Sequence, residues 1–530
     1  MFNEDRTVAV AFNGEIYNFK RLREELLPRH AFVSTSDTEV LVHGYEEWGS
    51  GFVDRLEGMF ALAMVDLRRR SVLLARDSVG IKPLYYVETP EWIAFASEAR
   101  ALLKLDLPGA PGEVDMDSAR RLLMGMYLAD PDRTLLKGVR KLPAGHTAGI
   151  ENGKMEVRRF WRLGRSEDIE SIAAGEAVDR TRVRLQEIVR DHLVADVEVG
   201  VLLSGGLDSS LLAAMAQRCS DKPIATFTAG FPHVWDERPY AREVAAHIGS
   251  RHQEILIDPQ AAVKRLANMI DTYDDLGTVD GGILMIHAVT EQIRERGIKV
   301  LLVGEGADEV FGGYSWYGVS QQPFRSLPLP ARALLCYYAS SRMLLAPWRG
   351  ARNVANVFRE SGQSEPFRQI QYWEITSQLP NHYIMKVDKA TMAHGVEARV
   401  PYLDRRLVQW AYDLPRRVLL PRTWWSLDPE QPKWLLRQVA APLLPASIRG
   451  RRKRGFSLPM HDVIQANIDL VKDCLMGPQS IAAAFFSERE RARLLRYRYS
   501  SYHPVQKHRE WLIWKLFLME LWRRKVVAGR

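Results

Sequence analysis

The sequence predicts an α+β N-terminal region, followed by an α/β doubly wound parallel sheet and a helical C-terminal part. Three observations carry this reading. Between Met59 and Ala96, apolar runs rich in β-branched and aromatic residues are separated by polar turns, the pattern of antiparallel strands. Between Val199 and Val303, short apolar runs alternate with amphipathic stretches, which implies βαβ units and a parallel sheet. The run Val199 to Leu203 passes through Ser204-Gly205-Gly206 directly into a helical pattern. A chain of 530 residues has room for at least two domains, and 46% apolar residues with 14 Trp mark it as globular.

In chain order, Val8 to Phe12 reads as a strand, and Asn13-Gly14-Glu15-Ile16-Tyr17-Asn18 follows at once. Asn18 is placed to cap a helix whose apolar face is Phe19, Leu22 and Leu26. Ser36 or Asp37 is placed to cap a second helix, with Leu41 and Tyr45 inward. Met59 to Val65 and Val72 to Ala75 flank the turn Asp66 to Arg70, and strands at Leu84 to Val87 and Trp92 to Ala96 follow the loop Asp77 to Pro83. Residues 115–161 connect the two regions. Arg162 to Glu170 is a polar linker, and a helix with Leu185, Ile188, Val189 and Leu193 on one face leads to the central strand. Beyond the Gly-rich turn come a strand at Ile224 to Thr228, a helix at Tyr240 to Ile248, a strand at Glu254 to Ile257, a helix at Gln260 to Ile270 and a strand at Lys299 to Val303. The last third is helical, and Trp511 to Trp522 reads as an apolar aromatic core helix.

Composition narrows the function classes. The net charge of +8 is modest, and the basic runs near Arg449 to Arg454 and after Arg491 read as solvated surface without a nucleic-acid recognition motif. Cys219, Cys336 and Cys474 are far apart and form no CxxC pair, which argues against zinc, iron–sulfur clusters and a disulfide framework and fits a reducing cytoplasm. The chain opens without an apolar signal segment, and no apolar run reaches membrane-spanning length.

Two stretches carry chemistry. Strand, Gly-rich turn and helix at Ser204-Gly205-Gly206-Leu207-Asp208-Ser209-Ser210 aim free backbone N–H groups at an anion. Asp208 repels phosphate unless Mg²⁺ stands between them; the plainer reading is a strand-to-helix turn with a capping Asp. Val303-Gly304-Glu305-Gly306-Ala307-Asp308-Glu309-Val310-Phe311-Gly312-Gly313-Tyr314 puts three acids at another strand end. Acids there favour a helix dipole, but with the Ser204 loop upstream a cation or cationic substrate is the better reading. Both stretches lie at carboxyl ends of parallel strands, where ligands of such sheets bind.

The Ser204 loop resembles the pyrophosphate-binding loop of ATP-pyrophosphatases, enzymes that split ATP between its α- and β-phosphates. Asn13 to Asn18, Ser36 to Val40, Ala75-Arg76-Asp77, Gly80 to Tyr86 and Phe95 to Glu98 resemble the glutaminase domain of glutamine-dependent asparagine synthetases, and Thr134 to His146 resembles that domain's late hairpin. His146, with no companion ligands, reads as a turn or surface residue. The 303–314 motif, Leu379 to Ala393, Glu397 to Asp404, Lys433-Trp434-Leu435-Leu436-Arg437 and Arg452-Lys453-Arg454-Gly455-Phe456 resemble the synthetase part in the family's order.

The resemblance implies an N-terminally incomplete Ntn-hydrolase glutaminase sandwich over 1–162 and an ATP-pyrophosphatase domain over 173–525. It implies an oxyanion hole from Asn13 and Gly14, and a glutamine head-group site from Glu15 and Asp37. It gives ATP contacts to Leu203, Ser204, Gly205, Gly206, Asp208, Ser209, Ala229, Val303 and Gly304. Mg²⁺ falls to Asp208 and Asp308, catalytic support to Glu305, and the ATP phosphates to Lys433. Asp388 and Arg399 are left as either an internal salt bridge or substrate contacts. The implied activity is ATP-dependent conversion of aspartate to asparagine through β-aspartyl-AMP, with ammonia or glutamine as nitrogen source. The partners are then small molecules, with neither nucleic acid nor membrane, and a homodimer is allowed. Two other readings stand: a ligase or β-lactam-forming relative acting on another carboxylate, to which the segment Tyr273 to Gly282 points by its poor match, and a nucleotide-binding partner without catalysis.

At one place the chain departs from the family. Residue 2 is Phe2 where the family has its nucleophilic cysteine, the first cysteine is Cys219, and the family's early strands and glutamine-contacting arginine segment are missing. Such a chain is not expected to hydrolyse glutamine by the family's route. A misassigned start, a true truncation and ammonia from another chain each explain this. The first is favoured, because the remaining glutamine-site residues are intact and half a sandwich would expose a sheet edge and core.

Overall fold

The computed structural model describes residues 1–166, 169–230, 236–258, 266–341, 347–420, 432–451, 460–496 and 504–529. The motif Arg452 to Phe456 and the first part of the expected helix Gln260 to Ile270 lie outside them; Leu266–Met269 is helical.

An antiparallel sheet opens the chain. Its order is β1 (Val8–Ile16), β2 (Gly58–Asp66), β3 (Ser71–Arg76), β7 (His146–Glu151), β8 (Lys154–Arg159). A smaller sheet has the order β5 (Ile93–Ala96), β4 (Tyr85–Glu88), β6 (Arg140–Lys141). Helices Phe19–Leu26 and Glu39–Trp48 pack on the large sheet by Leu22, Leu26, Leu41 and Tyr45, all buried.

Four details differ from the sequence reading. First, β1 runs on through Asn13-Gly14-Glu15-Ile16, because Gly14 lies opposite Phe60 where a Cβ would come within 2.0 Å of the Met59 carbonyl. Second, Asn18 does not cap the first helix; its side chain accepts from Glu57 N (3.0 Å) and donates to Arg55 O (2.9 Å), fixing the approach to β2. Third, neither Ser36 nor Asp37 caps the second helix, and Asp37 instead accepts from Ile16 N at 2.8 Å. Fourth, the Thr134 to His146 stretch is closed as a turn only by the single antiparallel bridge of Arg133 with Arg140 and does not run on as a paired hairpin. β6 and β7 belong to different sheets, and the hairpin is β7–β8 just beyond. His146 starts β7, with Nδ1 2.8 Å from the Ala144 carbonyl, a turn role.

The second sheet is parallel, in the order β11 (Arg251–Leu256), β10 (Ala225–Gly230), β9 (Val199–Leu202), β12 (Val300–Leu302), β13 (Glu397–Arg399). The chain fills one side of β9 and then the other, so the order reverses there and leaves a crevice at the carboxyl ends of β9 and β12. Its core is built from Val201, Leu203, Leu211, Leu212, Phe227 and Leu301, all essentially water-free. The same apolar cluster takes in Tyr17, Met59, Val79 and Ile81 of the first region, so the two regions share one core. The C-terminal helix Pro504–Trp522 buries Ile513, Trp514, Phe517, Met519 and Trp522 around its girth, and Trp514 Nε1 donates to Val279 O at 2.9 Å. No described helix is long and apolar enough to cross a membrane.

Candidate active site

Helix Leu207–Arg218 begins directly after the Ser204-Gly205-Gly206 turn, so Asp208 falls in its first turn. The turn is tied to the helix by Ser204 N donating to Ser209 Oγ (3.1 Å), with the two hydroxyls 3.0 Å apart, while Gly206 N reaches Ser204 Oγ at 3.3 Å. Gly205 has φ +68°, and a Cβ there would stand 2.6 Å from Ala241 N. Only glycine lets this turn settle onto the helix Arg238–Ile248. Leu203, Ala229, Val303 and Gly304 stand at the carboxyl ends of β9, β10 and β12, and Leu203 N donates to Phe227 O at 2.7 Å. Gly304 packs against the start of the Leu207 helix, its virtual Cβ 3.3 Å from Ser209 N, so the two motifs are in contact.

Gly306, with φ +92°, starts the short helix Ala307–Phe311 and turns Asp308 toward Asp208. Gly313 clears the space: a Cβ there would fall 1.8 Å from Asp308 Oδ1. Lys433, in the left-handed region at φ +56°, heads the helix Trp434–Ala440. Its buried Nζ stands 2.5 Å from Asp208 Oδ2 and 2.7 Å from Asp308 Oδ1. Burial disfavours its charge, but the two carboxylates outweigh burial and hold the ammonium well above the usual lysine range. Three residues separated by up to 225 positions thus meet at one point. Two carboxylates converging on one cation are a donor set that fits a hard divalent ion such as Mg²⁺, and the lysine suits the charge of a polyphosphate.

Glu305 lies beside this cluster. Burial pushes its carboxyl up; Lys386 opposes this, while Asp208 and Asp308 add to it. Lys386 Nζ pairs with Asp280 Oδ2 at 2.6 Å, which holds the Asp280 carboxyl well down against its burial. His382, one turn before Lys386, donates to or accepts from Thr278 Oγ1 at 2.6 Å, and burial lowers its pKa to about 4. Glu309 is buried and accepts from the Tyr314 hydroxyl at 2.6 Å. The segment 273–282 therefore reaches the acidic cluster through Asp280 and Lys386.

Sequence reasoning missed Lys386 and Arg451. Arg451 donates to the Ser204 carbonyl (3.3 Å) and to Glu237 Oε1 (2.9 Å) and stacks on Tyr240. It stood inside a basic run, where nothing distinguishes a buried guanidinium from a solvated one. Lys386 stood within a quoted motif, but its partner Asp280 is 106 positions away.

Asn13, Gly14 and Glu15 lie apart from the acidic cluster on β1, with Asp37 against the strand's end. Asp37 meets the end of the strand through Ile16, and burial raises its carboxyl. Glu15 is pushed up to about 7 by burial, against the pull of Arg399 and with Asp37 adding to the rise. Arg399 Nη2 donates to Glu15 at 2.8 Å, and Arg399 also pairs with Glu397 at 2.7 Å. Asp388 pairs with Lys82 at 2.9 Å. Asp388 and Arg399 therefore form no pair with each other among the described residues, and each instead ties the parallel-sheet region to the first region. Cys219 contacts Gln186 in the helix Ala174–His192, and Cys336 and Cys474 are buried.

Residues 180–524 match the family described as asparagine synthase, and residues 1–161 match the glutamine amidotransferase domain. A putative glutamine-hydrolysing asparagine synthetase of Mycobacterium tuberculosis is 32% identical over 509 residues, covering 87% of this chain and 76% of that protein. Glutamine-hydrolysing asparagine synthetase 1 of Bacillus subtilis is 28% identical over 504 residues, covering 86% and 77%. Glutamine-hydrolysing asparagine synthetase 3 of Arabidopsis thaliana is 31% identical over 480 residues, covering 86% and 68%.

Proposed function

The chain belongs to the glutamine-dependent asparagine synthetase family, and on that premise we propose that it activates the side-chain carboxylate of aspartate with ATP and converts it to the amide. The observation that carries this is Lys433 Nζ held between Asp208 and Asp308 beside the Ser204 loop. The β-carboxylate attacks the α-phosphorus, forming β-aspartyl-AMP and releasing pyrophosphate. Ammonia then attacks the acyl carbon, AMP leaves, and one proton is lost to give asparagine. Asp208 and Asp308 would hold Mg²⁺, which supplies charge neutralisation on the departing pyrophosphate. Lys433 adds a fixed positive charge, and the N–H groups around Gly205 and Gly206 orient the phosphates. Leu203, Ala229, Val303 and Gly304 would meet the nucleotide through backbone atoms. Glu305, whose carboxyl is raised by burial, with Asp208 and Asp308 adding to the rise, is placed to manage the proton of the incoming ammonia.

We assign Asn13 and Gly14 to an oxyanion hole and Glu15 and Asp37 to a glutamine head group, within an Ntn-type sandwich over 1–162. The doubly wound synthetase domain spans 173–525. No cysteine occurs before Cys219, so this polypeptide tested alone is expected to use ammonium and not glutamine. Lys386, presented by Asp280 next to Glu305, is the cation best placed for a substrate carboxylate.

The deciding experiment follows AMP and asparagine made by the purified chain from Mg·ATP and aspartate, with ammonium or glutamine supplied. Aspartate-dependent AMP with ammonium supports the reading. Equal turnover with glutamine would overturn the assignment of the nitrogen source. AMP that appears only with other carboxylates would move the activity to another acyl substrate.

A further inference from the structure

We propose that Glu4, His30, His43 and Glu46 form a binding site for a divalent transition-metal ion, Zn²⁺ by preference, distinct from the Asp208–Asp308 cluster. The four side chains come from three places: Glu4 ahead of β1, His30 after the first helix, and His43 and Glu46 one turn apart on the helix Glu39–Trp48. One ligand atom from each lies within 4.8 Å of all the others.

The distances suit a four-coordinate ion. His43 Nδ1 stands 3.2 Å from Glu46 Oε2 and 3.7 Å from Glu4 Oε2. His30 Nδ1 stands 3.6 Å from Glu46 Oε2 and 4.0 Å from Glu4 Oε1. Ligands about 2.0–2.1 Å from a tetrahedral ion stand about 3.3–3.4 Å from one another, so the four atoms, now within 4.8 Å of one another, close the shell by drawing inward. Two imidazoles with two carboxylates favour zinc, cobalt or nickel over magnesium or calcium.

The surroundings point the same way. Both imidazoles turn Nδ1 to the shared centre and Nε2 to a further carboxylate: His43 Nε2 is 3.7 Å from Glu39 Oε1, and His30 Nε2 is 3.7 Å from Glu47 Oε2. At 3.7 Å neither carboxylate is hydrogen-bonded to its imidazole, but each stands one small side-chain shift from the position in which a carboxylate orients a metal-bound imidazole. His43 is 2% exposed, and neither Nε2 makes a hydrogen bond among the described residues. Glu39 is itself fixed by Val33 N, Ser34 N and Ser34 Oγ. Glu46 Oε1 accepts from the buried Asn3 Nδ2 at 2.5 Å, which leaves Oε2 for the centre. The edge of His43 meets the Phe32 ring, and Glu4, 44% exposed, leaves the centre open to solvent on one side.

Cysteine spacing argues against zinc, but it speaks only to thiolate sites. Of this set the sequence displays only His43-x-x-Glu46, a spacing common on helices.

The test uses the full chain after dialysis against a chelator. Titration with Zn²⁺ alone, followed by calorimetry and by metal analysis after gel filtration, should show one equivalent retained. Co²⁺ should give the visible absorption of a tetrahedral N₂O₂ centre. Glu4→Gln and His30→Gln change partly exposed side chains, so their folding is checked by circular dichroism. Each should lose that equivalent or weaken it at least tenfold, whereas Asp208→Asn, at the other acidic site, should keep it. No retained equivalent in the folded chain, or an equivalent unchanged in both Glu4→Gln and His30→Gln, would overturn the proposal.

Discussion

Arg399, the last residue of β13, donates from Nη2 to Glu15 Oε2 on β1 at 2.8 Å. Its Nη1 is taken up by the carbonyls of His192 (2.9 Å) and Val194 (2.6 Å), and its Nε by Glu397. One side chain thus joins the edge of the parallel sheet to the strand that carries Asn13, Gly14 and Glu15. The packing that secures this junction also desolvates Glu15, and burial wins over the pairing.

The consequence is a pH dependence of stability. An unfolded Glu releases its proton near 4.5, whereas Glu15 in the fold holds it to about 7. Between these values the native chain binds more protons than the unfolded one, so stability falls as pH rises through the window and levels off above it. Glu15→Gln has no such proton to lose. Urea midpoints at pH 5, 6, 7 and 8 should show the wild type declining relative to Glu15→Gln up to about pH 7, then running parallel. Parallel midpoints from pH 5 upward would refute the burial argument.

Lys433→Met leaves Asp208 and Asp308 facing each other without a cation and removes a fixed charge from the phosphate side. Turnover should fall about 10²- to 10³-fold, the scale for losing one preorganised group that stabilises transition-state charge. Lys433→Arg should not restore it, because a planar guanidinium cannot occupy the point shared by two carboxylates 2.5 and 2.7 Å from Nζ. Pyrophosphate release at saturating Mg·ATP measures both. Full rescue by arginine would mean that the lysine acts only as a diffuse charge.

Gly313→Ala is a sharper test of the geometry, since it touches no charge. The added Cβ would meet Asp308 Oδ1 at 1.8 Å, so the carboxylate must leave the cluster. Activity should drop about as far as in Asp308→Ala; because the added Cβ also comes within 2.9 Å of the Asp308 Cα at a buried position, circular dichroism checks that the variant still folds. An active Gly313→Ala enzyme would show that Asp308 need not stand where it does.

These cases show what the sequence made legible. The parallel strands β9, β10 and β12 are readable because each is a short apolar run followed by a helical pattern, and the Ser204 and Glu305 motifs stand at their ends. β13 is not, because Glu397-Ala398-Arg399 is three residues long with charges at both ends, and it becomes a strand only by pairing with Val300 to Leu302. Asn13-Gly14 likewise shows no strand pattern in the sequence and extends β1 only by pairing with Ala61 and Phe60 of β2. Asp208, Asp308 and Lys433 could be named one by one. Lys386 with Asp280, and Arg451 with Ser204, are pairings across more than 100 positions that no local pattern encodes. Asp77 belongs here too: it carries a quoted motif, yet its buried carboxylate accepts from Phe60, Val79, Ile81 and Lys82 N–H groups and shapes a loop.

That loop presents Lys82, and with it the last prediction. Lys82 is 1% exposed, and its Nζ donates to Asp388 Oδ1 at 2.9 Å, joining the first region to the helix Ile384–Met392. Burial disfavours the charge, but Asp388 outweighs it and holds the lysine above its usual range. Removing one partner leaves an uncompensated charge in a dry interface, which costs about 3–5 kcal/mol, whereas replacing both by apolar groups of similar size is often close to neutral. Lys82→Met and Asp388→Leu should therefore each destabilise strongly, and the double variant should be more stable than either. A full thermodynamic cycle from urea denaturation reads the coupling directly. Additive losses would mean that the two residues contribute through packing alone, and that the junction between the regions does not depend on their charge.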